Sequence, residues 1–436
     1  MNGLFQKAVR LTAIKLILIS VIVLYSNSFS FAQEQELSWQ DCIKEAATNH
    51  PDLIAAVEEV KQSEAAKKIT ASALYPQIDA NLNASTGRSA SDNAPASTAD
   101  SYSYGLTGTQ LIFDGTKTIQ EVKAASETIK SFQQNYKFTS TTVRLNLRTA
   151  FVNLLKAQEL IRVSEDIVKI RKGNLELITL RYESGLEHRG ALLTAEANLA
   201  QANFQLSQAK RAVELAQRQL TKEMGRKEFI PMRADGDFKV IDTASQEPDF
   251  ETLTKNNPSL MLIIAQKNSA EFGLKSAYAN FSPTLSGTAS ANKNGAKWTP
   301  KGDEWNLGLV VSMPIFEGGL RLAQVSQAQA LLNQLKENER STRDGLIVNL
   351  VKTWAALEDA IETVGVQYKN LLATQERSKI AEVEYGTGFI TYDNWTIIED
   401  NLVQAKTTYL NAQAGALLAE ANWIQAKGET LEYAKN

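Results

Sequence analysis

The sequence predicts a mainly α-helical chain with a small β part, built from two copies of one plan. Three observations carry that reading. Two strand-like runs hand over at a glycine to helices of unusual length: QLIFDGTKTIQEVKAASE at 110–127 and SMPIFEGGLRLAQVSQAQA at 312–330. Apolar residues recur every seventh position along those helices. The two halves also coincide when the chain is slid against itself.

An offset of 203 lays Phe113-Asp114-Gly115 on Phe316-Glu317-Gly318, Tyr182 on Tyr385, Gly185 on Gly388, Glu196 on Glu399 and Gly225 on Gly428. Upstream, an offset of 207 lays Asn49-His50-Pro51 on Asn256-Asn257-Pro258 and Pro76 on Pro283. The four-residue change falls between Pro76 and Phe113, where a loop must differ in length. A period of about two hundred is too long for a solenoid. The expected division is therefore a first repeat at 33–225, a linker or collar at 226–250 and a second repeat at 251–436.

Residues 1–32 read as a cleaved export signal. Lys7, Arg10 and Lys15 precede the apolar run LILISVIVLY, and Ser30-Phe31-Ala32 offers small residues for cleavage before Gln33. The apolar core falls short of the ~20 residues of a spanning helix. Removing three basic residues from 46 leaves 43 against 49 acidic ones, a mature charge of −6. That mildly acidic balance argues against nucleic acid as partner. Cys42 is the only cysteine, which excludes an intrachain disulfide, and it reads as a small, partly buried residue. His50 and His188, the two histidines, lie far apart in sequence, so no histidine-based metal site is expected.

In the first repeat, Ser38-Trp39-Gln40-Asp41 resembles a capping box opening a short helix. Pro51 suits the first turn of a second helix, running to about Leu74. Pro76 stops it, and a β-hairpin is expected over about 76–114. Ile78, Ala80, Leu82 and Ala84 share one side of its first strand, opposite Asp79, Asn81, Asn83 and Ser85. STGRSASDNAPASTAD, 85–100, reads as a solvated loop. A proline-free helix follows over about 116–183 with the heptad Leu147, Leu154, Ile161, Val168, Leu175, Tyr182. At 1.5 Å per residue it is roughly 100 Å long, so partners along its whole length are implied. The returning helix, about 189–224, sets Leu192, Leu199, Leu206, Val213 and Leu220 beside Ala195, Ala202, Ala209 and Ala216, the pattern of a close-packed antiparallel coiled coil.

The second repeat predicts a hairpin at about 283–316, a long helix at about 319–385, a returning helix at about 392–427 and a C-terminal tail. Its last strand alternates Trp305, Leu307, Leu309, Val311 and Met313 against Asn306, Gly308, Val310 and Ser312, as a strand between two different solvents requires. Four strands per chain leave exposed edges, and single-chain outer-membrane barrels begin at eight. Three chains would supply twelve strands and a lumen.

PIFEGGLRLAQVSQAQA and LIFDGTKTIQEVKAA resemble the strand-to-helix junctions of TolC-type outer-membrane efflux proteins. RYESGLEHRGALLTAEANLAQA and EYGTGFITYDNWTIIEDNLVQA resemble their helical tips. The resemblance covers nearly the whole mature chain. It implies a homotrimer whose twelve strands form a transmembrane barrel in outer-membrane lipid, continued by an α-helical tunnel through the periplasm. By the same resemblance the chain is the passive exit duct of a tripartite efflux or type I secretion system, working with a periplasmic adaptor and an inner-membrane transporter. Phe113, Asp114, Gly115, Phe316, Glu317 and Gly318 are then the junctions. Tyr182, Gly185, Tyr385 and Gly388 are tips that dock the adaptor or simply cap helices. Trp305, Leu307, Leu309, Val311 and Met313 are the candidate lipid-facing strand.

Family members commonly carry acidic residues just beyond the second tip glycine. Here the sequence has Asp393-Asn394, with an amide where the family often has an acid. Asp393 is either a gate carboxylate or a helix N-cap. Gly173, Gly345 and Gly365 interrupt the long helices at ~1 kcal/mol each relative to alanine. No catalytic constellation or cofactor motif is read: there is no Ser-His-Asp order, and Gly115-Thr116-Lys117-Thr118 lacks the spacing of a phosphate loop. The competing class is a non-conducting periplasmic coiled coil that tethers the envelope. In that case the apolar strand face would meet protein instead of lipid.

Overall fold

The computed structural model describes residues 35–91, 94–236, 238 and 247–432. The export signal expected at 1–32 lies outside them, as does part of the stretch expected to join the repeats. The described residues fall into two compact units, 35–42 with 150–238 and 43–149 with 247–432.

In the first unit, β1 (Gln35–Leu37) pairs in parallel with β4 (Met232–Ala234). Helix α1 (Trp39–Asn49) opens here. Its cap is reciprocal: Ser38 Oγ donates to Asp41 Oδ2 at 2.6 Å, and the Asp41 N–H donates to Ser38 Oγ at 3.3 Å. Helix α3 (Lys117–Glu183) enters the unit at Ala150, and α4 (Arg189–Glu223) follows its tip. The alanine line of α4, Ala195, Ala202, Ala209 and Ala216, is the buried one. Of the larger line only Leu220 is fully buried. Gln158 anchors β4 at both polar groups of one residue, accepting from Ala234 N–H at 2.9 Å and donating to its carbonyl at 3.1 Å. Cys42 is completely buried, further than its sequence context suggested.

The second unit holds α2 (Pro51–Ser72), β2 (Gln77–Ser91), β3 (Ala94–Phe113), α5 (Phe250–Lys255) and α6 (Pro258–Ala279). It continues with β5 (Thr284–Gly295), β6 (Gly302–Ser312), α7 (Leu320–Thr387) and α8 (Tyr392–Ala426). Helices α7 and α8 form an antiparallel pair. Its core near the chain's end is Leu350, Trp354, Leu357, Trp423 and Ala426, and the Trp354 and Trp423 ring centroids lie 5.2 Å apart. Past α8 the chain is tied to α3. Arg144 Nη1 donates to Glu429 Oε2 and to the Thr430 carbonyl, both at 3.1 Å, and Leu431 is fully buried. Glu432 accepts from Tyr136 Oη at 2.8 Å and from Ser140 Oγ at 3.1 Å.

The four long strands form one antiparallel sheet in the order β2-β3-β5-β6. Directly opposed residues share a face of a pleated sheet. The row Ala80, Leu106, Ala291, Trp305 and the row Ile78, Gly108, Ala289, Leu307 therefore lie on one side. Asp79, Thr107, Ser290 and Asn306 lie on the other. One face is apolar and one polar across all four strands.

The two hairpins repeat each other in register as well as in sequence. Gln77↔Thr109 maps onto Thr284↔Ser312, and Leu82↔Tyr104 onto Ala289↔Leu307, under the same offsets of 207 and 203.

Two expectations need correction. The stretch 85–100 is not a loop: Ser85 pairs with Ser101, Gly87 with Ala99 and Ser89 with Ser97, so the first hairpin stays a ladder to Ser91↔Ala94. Its small and hydroxylated residues are compatible with a strand wetted on both faces, so polarity reported the solvent and not the backbone. Conversely, β6 stops at Ser312, short of the expected end near 316, because residues 313–316 meet no partner strand among the described residues.

Candidate functional site

Of the predicted lipid-facing residues, Trp305, Leu307, Leu309 and Val311 lie on the apolar side of β6, Met313 follows just past its end, and all five are 63–79% exposed. Burial within this chain cannot account for such a run of large apolar side chains. From Trp305 to its end at Ser312 the strand rises roughly 24 Å at 3.4 Å per residue, close to the ~25 Å band of outer-membrane barrels. Polar chemistry resumes where the band ends. One row toward the hairpin tips, Lys293 pairs with Asp303 at 2.8 Å, and Tyr102 packs edge-on against Trp298 at 5.7 Å. At the helix end stand the exposed rings of Tyr75, Phe113, Phe281 and Phe316. Aromatic residues at both limits of an apolar band are the mark of a membrane interface.

The junctions turn the chain from strand to helix through two consecutive left-handed residues. Gly115 and Thr116 have φ of 68° and 72°; Gly318 and Gly319, the equivalents, have 59° and 88°. Glycine takes this conformation freely, whereas Thr116 is β-branched and takes it at a cost. An added Cβ at Gly115 would also lie 2.2 Å from Ser282 Cβ. Asp114 caps α3, accepting from the Thr118 N–H at 2.8 Å and from Thr118 Oγ1 at 2.5 Å. Glu317 instead accepts from Arg321 Nε at 2.6 Å, and that hydrogen bond holds its carboxyl below the usual range. Phe316 is 87% exposed.

Each tip closes with a glycine in the left-handed region, Gly185 at φ 70° and Gly388 at φ 83°. Leu186 N–H reaches the Arg181 carbonyl at 2.8 Å, and Phe389 N–H reaches Glu384 at 2.8 Å, the six-to-one bond of a Schellman ending. Gly225 and Gly428 end α4 and α8 in the same way. Tyr385 is buried and stacks on Trp395 with centroids 4.6 Å apart and planes at 5°, beside Tyr392. Tyr182, its equivalent, stays exposed. Sequence reasoning missed Leu186 and Phe389, which follow the tip glycines and are 67% and 84% exposed. Both fall one residue past an aligned glycine, so the offset of 203 could have singled them out.

Asp393 and Asn394 are exposed in the first turn of α8. The N-cap is Thr391, whose Oγ1 accepts from the Asn394 N–H at 3.4 Å, so Asp393 is not the cap. The histidines are caps as well. His50 Nδ1 accepts from Asp52 N–H at 3.2 Å, and His188 Nδ1 from Ala191 N–H at 3.1 Å. Among the described residues no group of three or more His, Cys, Asp or Glu is placed to hold a metal ion, and no helix is long and apolar enough to cross a membrane.

A two-faced sheet of strands long enough to cross a bilayer, carried on helices several times that length, defines an outer-membrane channel with an α-helical extension. The chain belongs to the outer membrane efflux protein family, which matches residues 42–226 and 251–429. The outer membrane protein TolC of Escherichia coli is 24% identical over 424 residues, covering 92% of this chain and 82% of that protein. The outer membrane efflux protein BepC of Brucella suis is 22% identical over 369 residues, covering 83% and 76%. In structure, the CmeC outer membrane channel of Campylobacter jejuni matches with a TM-score of 0.80 at 18% identity, over 94% of this chain and 93% of that one. The protein is an outer-membrane channel for efflux or secretion.

Proposed function

We propose that three copies of the chain close a twelve-stranded barrel in the outer membrane and a helical tunnel beneath it. The channel is the passive exit duct of a tripartite pump. The observation that carries this reading is the four-stranded sheet with one apolar face, one polar face and both edges open. An open edge in a membrane costs several kcal/mol per unsatisfied backbone group, and closure into a ring removes every edge at once. The apolar face then meets lipid, while Asp79, Asn81, Thr107, Ser290 and Asn306 line a wet lumen. Residues 33–225 and 251–436 are two structural repeats joined by 226–250, each giving one hairpin to the wall and one helical hairpin to the tunnel.

In this reading the tips around Tyr182–Gly185 and Tyr385–Gly388 receive a periplasmic adaptor, with Leu186 and Phe389 as its apolar contacts. A ring of Asp393 and Asn394 lies near the inner mouth, where three carboxylates would favour cations. Choice of cargo rests with the inner-membrane transporter, because the duct itself only excludes by size and charge.

The test is electron microscopy of the full chain extracted from membranes in detergent. A hollow particle with threefold symmetry is expected. A solid rod of two or four chains, recovered without detergent, would overturn the duct in favour of a tether.

A further inference from the structure

We infer that the apolar face of the sheet carries a groove that holds one acyl chain of a phospholipid. The inference rests on the membrane barrel proposed above and gives its outer wall a site for one particular kind of lipid.

The groove is made by small residues. Two successive rows of the face read Ile78, Gly108, Ala289, Leu307 and then Gln110, Gly287, Leu309 across the strands. Pro76, just before β2, falls at the end of the second row. Gly108, Ala289 and Gly287 make a floor on β3 and β5 with almost no side chain. Ile78 on β2 and Leu307 and Leu309 on β6 stand beside it as exposed walls. The cavity between them is about 620 Å³ and mainly apolar.

The backbone does not ask for glycine here. Neither Gly108 nor Gly287 has a φ in the left-handed region. A Cβ added at Gly108 would meet only the Ala289 and Gln77 carbonyls, at 3.8 and 3.9 Å. One added at Gly287 would touch Ile112 at 3.5 Å and Leu309 at 3.8 Å, which are ordinary contacts. Gly105 on the polar face differs, since a Cβ there would collide with the Ala291 carbonyl. Glycine inside a strand weakens it, and where the backbone does not require it, it marks a close approach by something else. The repeat supplies the comparison. Under the offsets of 203 and 207, Gly108 corresponds to Val311, Gly287 to Ala80 and Ala289 to Leu82. All three floor positions are larger in the other copy, so the plan accepts side chains there, and only the strip between β3 and β5 is emptied.

The occupant is hydrocarbon. Leu307 and Leu309 lie inside the apolar band, past Trp305 at its outer limit. No charged side chain lines the cavity. The one amide on its floor has no donor to offer, because Gln110 Nε2 already donates to the Leu74 and Leu111 carbonyls at 3.1 and 2.6 Å. The cavity reaches Pro76, one residue before β2 begins and next to the exposed Tyr75 ring, so it opens toward the helix side of the sheet. In an outer membrane that side is the periplasmic leaflet, which is phospholipid. An acyl chain lying in the trough gains dispersion contacts from floor and walls together, which a flat barrel wall does not give.

The test is native mass spectrometry of the full chain extracted from membranes in mild detergent. Wild type is compared with Gly108→Val and Ala289→Leu, which put the other repeat's residues on the floor. Ala84→Leu adds comparable bulk to the same face outside the groove. Wild type should keep one phospholipid per chain through washing, and Ala84→Leu should match it. The two filled variants should lose that lipid about tenfold more readily, the effect of roughly ten missing dispersion contacts. Threefold particles whose wild type holds no phospholipid, holds lipopolysaccharide in its place, or loses lipid as readily as the filled variants overturn the groove alone. Recovery of the chain without detergent overturns the membrane reading and the groove with it.

Discussion

Ser378 Oγ donates a 2.5 Å hydrogen bond to Glu399 Oε1 between α7 and α8, with both residues buried. A carboxylate removed from water needs donors, and this hydroxyl is placed to be one. Ser378→Ala should therefore cost roughly 1–3 kcal/mol, the usual penalty for depriving a buried acceptor of its partner. Glu399→Gln keeps an acceptor without the charge and should be near neutral. Thermal unfolding of the detergent-solubilised particle separates the two. Equal stability of wild type and Ser378→Ala would show that Glu399 does not depend on the hydroxyl.

Trp395 packs face to face on Tyr385, yet its indole Nε1 is buried with no acceptor. The ring area and not the polar atom holds the second tip together. Trp395→Phe should retain most of the stability, while Trp395→Ala should lose about 3–5 kcal/mol. Local opening is read by hydrogen exchange at 385–399. Equal exchange in the two variants would contradict the stacking account.

Thr116 occupies the left-handed position that Gly319 fills in the second repeat. Thr116 is exposed, so replacing it removes strain without emptying a core. Thr116→Gly should stabilise the junction by about 1 kcal/mol, the cost of a left-handed conformation for a residue with a Cβ. The reverse change, Gly319→Thr, should destabilise by a similar amount. Urea titration of both variants tests the pair, and the same sign for both would refute it.

The C-terminal tie to α3 should open at both extremes of pH. Burial acts to raise the Glu432 carboxyl. The hydrogen bonds from its own backbone N–H, Thr430, Tyr136 and Ser140 outweigh it and hold the carboxyl below the ordinary value. A depressed carboxyl stabilises the docked state above its free-chain pKa, and that stabilisation is lost as pH falls through the depressed value. Tyr136 is pushed from 10.0 up to about 12 by burial, with the hydrogen bond to Glu432 and its charge adding to the shift. The undocked chain therefore ionises first, and docking weakens as pH climbs from 10.0 toward about 12. Protease sensitivity of residues 428–432 should rise at both ends of the range; Tyr136→Phe should abolish the alkaline rise and, by taking one donor from Glu432, lessen the acid one.

The long helices were legible because no proline breaks them and their apolar residues recur every seventh position. α3 spans Lys117–Glu183 and α7 Leu320–Thr387, and Leu147, Leu154, Leu350 and Leu357 are buried. The outer part of the first hairpin was not, because a strand wetted on both faces has no alternation to read. Tyr182 and Tyr385 share a motif but differ in burial. Trp395 supplies a ring for Tyr385 to stack on, and the equivalent residue in the first repeat is Leu192. Asp393 was open to reading as a cap because Thr391 and Asp393 are both good cap residues two positions apart, within the margin of helix boundaries. Thr116 in a left-handed conformation contradicts its own propensity, and only the alignment with Gly319 pointed to it.

The two hairpins end at different heights. The second ladder closes at Asn294↔Gly302, which corresponds to Gly87↔Ala99, while the first continues to Ser91↔Ala94. Four more residues on β2 at 3.4 Å each extend the first by roughly 14 Å along the strand. In the closed ring proposed above, the outer rim would be crenellated, with three merlons and three gaps in alternation. The nearly sixfold wall of that proposed ring would become plainly threefold at this edge, and a molecule leaving the lumen would meet three low sides through which to spread.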